Sequence, residues 1–512
     1  MKKIVYFSIA TLFHSGIVFA QKQPESFVGS VTVVHKESFT KARSETTYEF
    51  RGERKGRSPK KYQLKMKGKI PENLMTGTQV QIEGAVDGSI LNASSLKFLL
   101  SDSSLSSTSE PVAVGVGMQN TIVVLLNFQN SPQVCTKTQV DSLMFTGKSS
   151  VNKFYQENSY GKVGFKGVVT EPVTIEAPSI GNCDLSSISS RGDAAAGQAG
   201  YDLSSFQRRV YVLPPNSLNC SWTGAAYIGG NRSFINSDGC NNSMVYAHEL
   251  GHNLGMDHAS SVSGEYGDHS DVMANPSTPF HYNSFHKIAM GWIPSSRISV
   301  MSGLPGSVGD YKVAHIEQDI SDIQTVKIPI AGTVDSFFIS YRRGLGFDSV
   351  LSAQFLDSVS IHKAGLGTKS ILLGTVKVGG TWFDSSGALK VQMLSRDSTY
   401  ASIRVEVASP DVSAPSVPTN LQASMKTMTY GKGRRAVTTT AVHLSWTASM
   451  DDRGVQRYII ERNGEVYTIV PATNATFDDS YVQRGATYTY RIQAVDTAGN
   501  ISEHSLPLVI TP

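Results

Sequence analysis

The chain has 512 residues, of which 17% are charged, a formal net charge of +4 and four cysteines. That length exceeds what one hydrophobic core can hold and implies about three or four domains. The small net charge excludes the strongly basic balance of a nucleic-acid binder, so no nucleic-acid partner is expected.

In chain order, Met1–Ala20 reads as a signal peptide: Lys2 and Lys3, a mostly apolar stretch from Ile4 to Phe19 interrupted by His14 and Ser15, then Val18-Phe19-Ala20 before the cleavage point. The mature chain is expected to begin at Gln21 and to be secreted. No later stretch reaches about 18 uninterrupted apolar residues, so no membrane span is expected. Export implies an oxidising compartment in which Cys135, Cys183, Cys220 and Cys240 form two disulfides, with three pairings open.

Residues 21–100 alternate with the period of strands in Phe27–Val34, Tyr62–Met66 and Val80–Gly84, with turns at Thr76-Gly77 and Asp87-Gly88. A small β barrel or sandwich resembling an OB fold is expected. Its place before the catalytic region suggests a propeptide, the alternative being a permanent accessory domain. Between His35 and Lys69 stand twelve Lys or Arg against four Glu, which reads first as a solvated face and second as a surface for an anionic partner. Residues 101–117 form a Ser-rich linker by composition.

Thr121–Phe128 is a continuous apolar run, as in a strand covered on both faces. Val140–Tyr155 and Asp193–Ala199 have helical character, and Arg208–Pro214 reads as a strand ending at proline. Gly224–Ile235 contains a further strand ahead of the most informative stretch, His248-Glu249-Leu250-Gly251-His252-Asn253-Leu254-Gly255-Met256-Asp257-His258. On a helix capped by Ser243, His248 and His252 lie one turn apart and can share one metal ion. Glu249, beside the first ligand, can reach a water held by that metal and act as general base. Gly255 can take positive φ and end the helix, which returns His258 as third ligand. Three imidazoles with an open position describe catalytic zinc, whereas structural zinc is closed by four protein ligands.

The spacing H-E-x-x-H-x-x-G-x-x-H is the metzincin signature. Together with Tyr266-Gly267-Asp268-His269-Ser270-Asp271-Val272-Met273, Phe285-His286-Lys287 and Met290-Gly291-Trp292, it resembles the gametolysin-type metallopeptidases over roughly residues 118–408. The resemblance implies a zinc endopeptidase with Met273 in a methionine turn beneath the metal. It also implies a strand within Gly224–Ile235 that pairs with an extended substrate, a role weighed against an ordinary hairpin. Some metzincins are kept latent by a propeptide cysteine, but residues 21–134 contain none, so latency here must use a carboxylate or occlusion of the cleft. Several metzincins carry a tyrosine two residues after the methionine. Asn275 stands there instead, which leaves carbonyl polarisation to zinc or to His281, Tyr282 or His286.

Short strands recur over residues 298–408, resembling the β domain after the catalytic unit of gametolysin-like proteins. A proline-rich hinge at 409–418 leads into residues 419–512. There Leu444-Ser445-Trp446, Asn463-Gly464 and Thr487–Asp496 resemble a fibronectin type III sandwich. The expected fold class is thus α+β multidomain: a metzincin-type catalytic domain of mixed sheet plus helices at 118–297, flanked by an N-terminal small β domain, a β domain and the terminal sandwich. The expected function is a secreted zinc endopeptidase acting on extracellular matrix or cell-surface proteins through a zinc-bound water activated by Glu249. The alternative is an adhesin or matrix-binding protein with a vestigial protease fold.

Overall fold

Alternating side chains build the first element of the chain, which carries more of the architecture than its length suggests. The computed structural model describes residues 25–54, 58–99, 116–129, 131–177, 183–215, 220–236, 239–274, 277–408, 411–430 and 437–512. The expected signal peptide, most of the linker, residues 55–57 of the basic run, Asn275, and residues 409–410 of the hinge lie outside them. The chain divides into two compact units, residues 1–293 with 346–348 and 364–371, and residues 294–345, 349–363 and 372–512.

In the first unit, β1 (Glu25–Ser38), β2 (Arg43–Arg54), β3 (Lys60–Met66), β4 (Gln79–Asp87) and β5 (Ile90–Phe98) pair in the order β2-β3-β5-β4-β1, and β1 also pairs with β2. The pairing closes on itself, so the expected barrel or sandwich is a barrel. Phe27, Val31, Phe50, Leu64, Val80, Ile82 and Leu91 fill it at period two along their strands. The strand β1 is longer than Phe27–Val34, the stretch the alternation marks. Its extra residues pair with a strand outside the barrel, described below.

The second sheet segment contains β6 (Gly117–Phe128), β7 (Val163–Val169), β8 (Val173–Ile175), β9 (Arg208–Val212), β10 (Gly224–Tyr227) and β11 (Arg232–Ile235). Parallel β6 and β9 lie at its centre, β11 runs parallel to β9, and β10 and β11 form an antiparallel hairpin. The apolar run in β6 is covered on both faces, as its composition requires. Val123 and Leu125 pack with α2 (Val151–Asn158) and α4 (Ser243–Asn253), while Ile122, Val124 and Leu126 pack with α3 (Leu185–Gln198). The disulfides are Cys135–Cys240 and Cys183–Cys220, which selects one of the three pairings.

The α+β class expected from the sequence is overturned. Among the described residues strand takes 44% and helix 14%, in several sheets and a small barrel, so the described structure is predominantly β. The reason is physical. A ligand-bearing helix is conspicuous in sequence because its spacing is local, yet the apolar material of the chain is laid out mostly at period two, and strands bury it. The helices are also shorter than expected. The span Val140–Tyr155 is not one helix: the short α1 (Lys137–Asp141) passes into a wider turn at Ser142–Thr146, Gly147 leaves helical geometry, and α2 starts afresh.

Among the described residues of the second unit the regular structure is strand, apart from short turns of helix. Residues 298–407 supply the strands of two sheets packed around Val326, Ile339, Ile361, Val391 and Ile403. Residues 419–510 form a three-stranded and a four-stranded sheet around Trp446, Tyr458, Tyr490 and Ile492.

Candidate metal centre

The helix α4 is capped by Asn242, whose side chain accepts the Val245 amide at 3.4 Å, not by Ser243. Every residue from Met244 to Asn253 is buried. The helix ends at Gly255, where φ is +96°, and the Met256 amide returns to the Gly251 carbonyl at 3.0 Å. This turn brings His258 back to the helix. The rings of His248, His252 and His258 lie 4.8 to 5.7 Å apart, centroid to centroid, and all three are fully buried.

Each imidazole is oriented by its Nδ1, which donates outward. His248 bonds the Val272 carbonyl at 2.7 Å, His252 the Met256 carbonyl at 2.6 Å, and His258 the Glu265 carboxylate at 2.7 Å. The Nε2 atoms are thereby turned to a common centre, the arrangement in which outer partners fix the tautomer of metal-binding histidine. What lies at that centre is Glu37, from the far end of β1. Its Oε1 is 2.5 Å from His252 Nε2 and 2.8 Å from His258 Nε2, and its Oε2 is 2.8 Å from His248 Nε2. The four ligand atoms lie within 4.8 Å of one another.

Several features of this cluster suit a divalent cation. His248 Nε2 and Glu37 Oε2 are close but not aligned for a hydrogen bond, and both oxygens of Glu249 are buried without a partner. Burying polar atoms unpaired is costly. Three neutral imidazole nitrogens and a carboxylate oxygen form a donor set suited to zinc. Burial raises the Glu37 carboxyl, but the three imidazoles outweigh it and hold the group well below its usual range. Burial and the Glu37 charge push the Glu249 carboxyl well above its usual range. Burial lowers His258, yet Glu37 and Glu265 carry it up to about 10.

Glu249 points toward β10. A Cβ on Gly224 would lie 1.9 Å from Glu249 Oε1, so only glycine leaves space for that carboxylate. Met273 is fully buried under α4, where a Cβ on Gly251 would lie 2.5 Å from its sulfur. The residues considered for carbonyl polarisation are engaged elsewhere. His281 contacts Glu157 at 2.8 Å, the Tyr282 hydroxyl contacts that of Tyr155 at 2.7 Å, and His286 contacts Asp271 at 2.8 Å. Tyr266 was not singled out from the sequence for such contact. Its ring lies 4.3 Å from that of His258 and its buried hydroxyl lacks a hydrogen-bond partner. The sequence also missed Glu37, which lies 215 residues from His252. The lack of cysteine in the first domain narrowed the choice to a carboxylate or occlusion but named no residue.

With this geometry in view, the segment that contains it can be set beside known proteins. Residues 120–369 match the gametolysin peptidase M11 family. The match supports a metallopeptidase, and it implies a metal, usually zinc. It begins where the resemblance read from the sequence begins and ends before residue 408. The chain is 26% identical over 202 residues to the autolysin of Chlamydomonas reinhardtii, covering 30% of this chain and 30% of that protein. It is 37% identical over 102 residues to exoglucanase B of Cellulomonas fimi, covering 20% of this chain and 8% of that protein. It is also 37% identical over 106 residues to chitinase Chi52 of Paenibacillus xylanexedens, covering 21% and 18%. The chain therefore spans between 8% and 30% of the length of these three relatives. A solved spore cortex lytic enzyme of Clostridium perfringens, 18% identical and covering 24% of this chain and 38% of its own, aligns with a TM-score of 0.16, too low to bear on the fold. Among the described residues no helix is long and apolar enough to cross a membrane.

Proposed function

We propose that the chain is an exported zinc endopeptidase with the metzincin ligand spacing, in which His248, His252 and His258 hold the metal and Glu249 is the general base. The observation that carries this reading is the convergence of three outward-anchored imidazoles on one buried centre, with an unpartnered glutamate beside it. Zinc bound there supplies a Lewis acid that polarises the scissile carbonyl and acidifies water. Glu249, beside the ligand His248, would take the proton of the attacking water and deliver it to the leaving amine. Met273 shapes the floor of the site and takes no part in the chemistry.

Export is supported by the basic and apolar start of the chain and by two disulfides, which persist in oxidising compartments. The substrate class is protein or peptide, with exposed extracellular proteins as targets. The terminal sandwich is read as a fibronectin type III-like spacer: its span of about a hundred residues suits such a module, and Trp446 packs against Tyr458 at 5.2 Å in its core. Casein hydrolysis by purified protein, with and without 1,10-phenanthroline, tests the reading. Chelator should abolish cleavage and added zinc restore it; cleavage indifferent to chelator would refute it.

A further inference from the structure

We propose that Glu37 is the fourth ligand of this metal and that β1 fills the substrate's place along β10, so that the full chain is latent until β1 is withdrawn. The inference rests on the metallopeptidase reading above and deepens it.

The hairpin β10–β11 has one edge of β10 left for another strand. That edge is paired antiparallel with β1 through Val34 with Tyr227, His35 with Ala226, Lys36 with Ala225 and Glu37 with Gly224. The Ile228 amide donates to the Val33 carbonyl at 3.0 Å and the Thr223 amide to the Glu37 carbonyl at 2.5 Å, so the ladder is completed at both ends. An extended peptide added to a sheet edge gains its affinity from this kind of backbone pairing. The register places Glu37 opposite Gly224, the residue whose missing side chain makes room for Glu249. The strand therefore crosses the cleft where a peptide would have to lie for Glu249 to act on it.

Side chains of β1 and the residue after it seal the site. The His35 ring stacks on His252, with centroids 5.0 Å apart and planes 10° apart, and the Phe39 ring meets His248 edge to face at 5.0 Å. From the adjoining strand, the Ser44 hydroxyl donates to Glu265 at 3.1 Å, the carboxylate that orients His258. None of the three imidazoles, Glu249 or Glu37 has any exposed surface. A site that must admit a polypeptide is closed on every side, and the closing segment belongs to a separate barrel with its own core. A permanent structural ligand would have no need to occupy the substrate edge.

The test compares full-length wild type with Glu37→Ala and with Glu37→Gln, which keeps the side-chain volume. Zinc stoichiometry is measured for each, the visible spectrum of the cobalt-substituted proteins is recorded with and without acetohydroxamate as a small metal-binding probe, and casein hydrolysis is followed. All three proteins should bind one metal, because three imidazoles suffice to hold it. Acetohydroxamate should shift the cobalt spectra of the two variants and leave wild type unchanged. Casein hydrolysis by Glu37→Ala should exceed that of uncut wild type by at least about tenfold, since an occupied state multiplies apparent affinity by the small competent fraction. If all three bind one metal but respond alike to acetohydroxamate and to casein, the Glu37 assignment falls while the metallopeptidase reading stands. If the variants lose the metal that wild type keeps, Glu37 is a permanent ligand and latency is overturned. If none binds metal, the underlying reading has failed first.

Discussion

Two buried carboxylates, one in each unit, are held below the usual range against burial, by different sets of partners. In the terminal sandwich, Asp479 accepts the Tyr490 hydroxyl at 2.7 Å, the Tyr467 hydroxyl at 2.8 Å, Arg462 at 2.8 Å and the Tyr481 amide at 2.9 Å. Burial raises its carboxyl, but these four donors outweigh burial. Glu37 sits among three imidazoles, one approach is out of hydrogen-bond geometry, and the neighbouring Glu249 has no partner for either oxygen. A saturated carboxylate is part of a scaffold. A carboxylate whose neighbours include unsatisfied buried polar atoms points to a candidate ligand site.

The sharpest way to break the comparison is at the general base. Glu249→Gln should retain zinc and lower casein hydrolysis by about 10²- to 10⁴-fold, measured on chain whose first domain has been displaced. Normal turnover in that variant would move the base elsewhere. Removal of the Cys135–Cys240 link, which closes 105 residues and holds the loop ahead of α4, should cost about 2–5 kcal/mol in urea unfolding when both cysteines are changed to serine.

On the scaffold side, Asp479→Asn leaves two tyrosine hydroxyls, an arginine and an amide poorly satisfied and should destabilise the sandwich by about 2–4 kcal/mol. The pH dependence has a definite sign. Because the folded carboxyl is depressed, its stabilisation is present above the ordinary aspartate value of about 3.9 and is lost as pH falls through the lower folded value. Acid unfolding of wild type should show this loss, and Asp479→Asn should not. Next, Gly224→Ala places a methyl group against Glu249 and should cost about 1–3 kcal/mol or displace that carboxylate. A crystal structure of the variant with Glu249 unmoved would show that the close approach has been misjudged. The smallest effect belongs to Met273→Leu, a swap of similar volume under α4 expected to cost less than about 1.5 kcal/mol in thermal unfolding.

The sequence revealed what is local. His248 and His252 are separated by one helical turn and Gly255 is set by a positive φ, so both could be read from spacing, as could the barrel strands from their alternation. Competing local signals blurred the details. Asn242 outcompeted Ser243 for the cap, and Gly147 interrupted the expected long helix. The α+β class failed because a single conspicuous helix outweighed many short strands whose individual signals are weak. Glu37 was illegible for a different reason. Its significance comes from β1 continuing past Val34 onto β10, a pairing between residues nearly two hundred positions apart that no local pattern encodes.

Three imidazoles and the Glu37 carboxylate would surround zinc in the intact protein. X-ray absorption at the zinc edge of full-length wild type should show imidazole scattering from three histidines with nitrogen or oxygen neighbours at about 2.0–2.1 Å and no sulfur. A zinc shell with fewer than three imidazoles, or protein that holds no zinc after reconstitution, would contradict it.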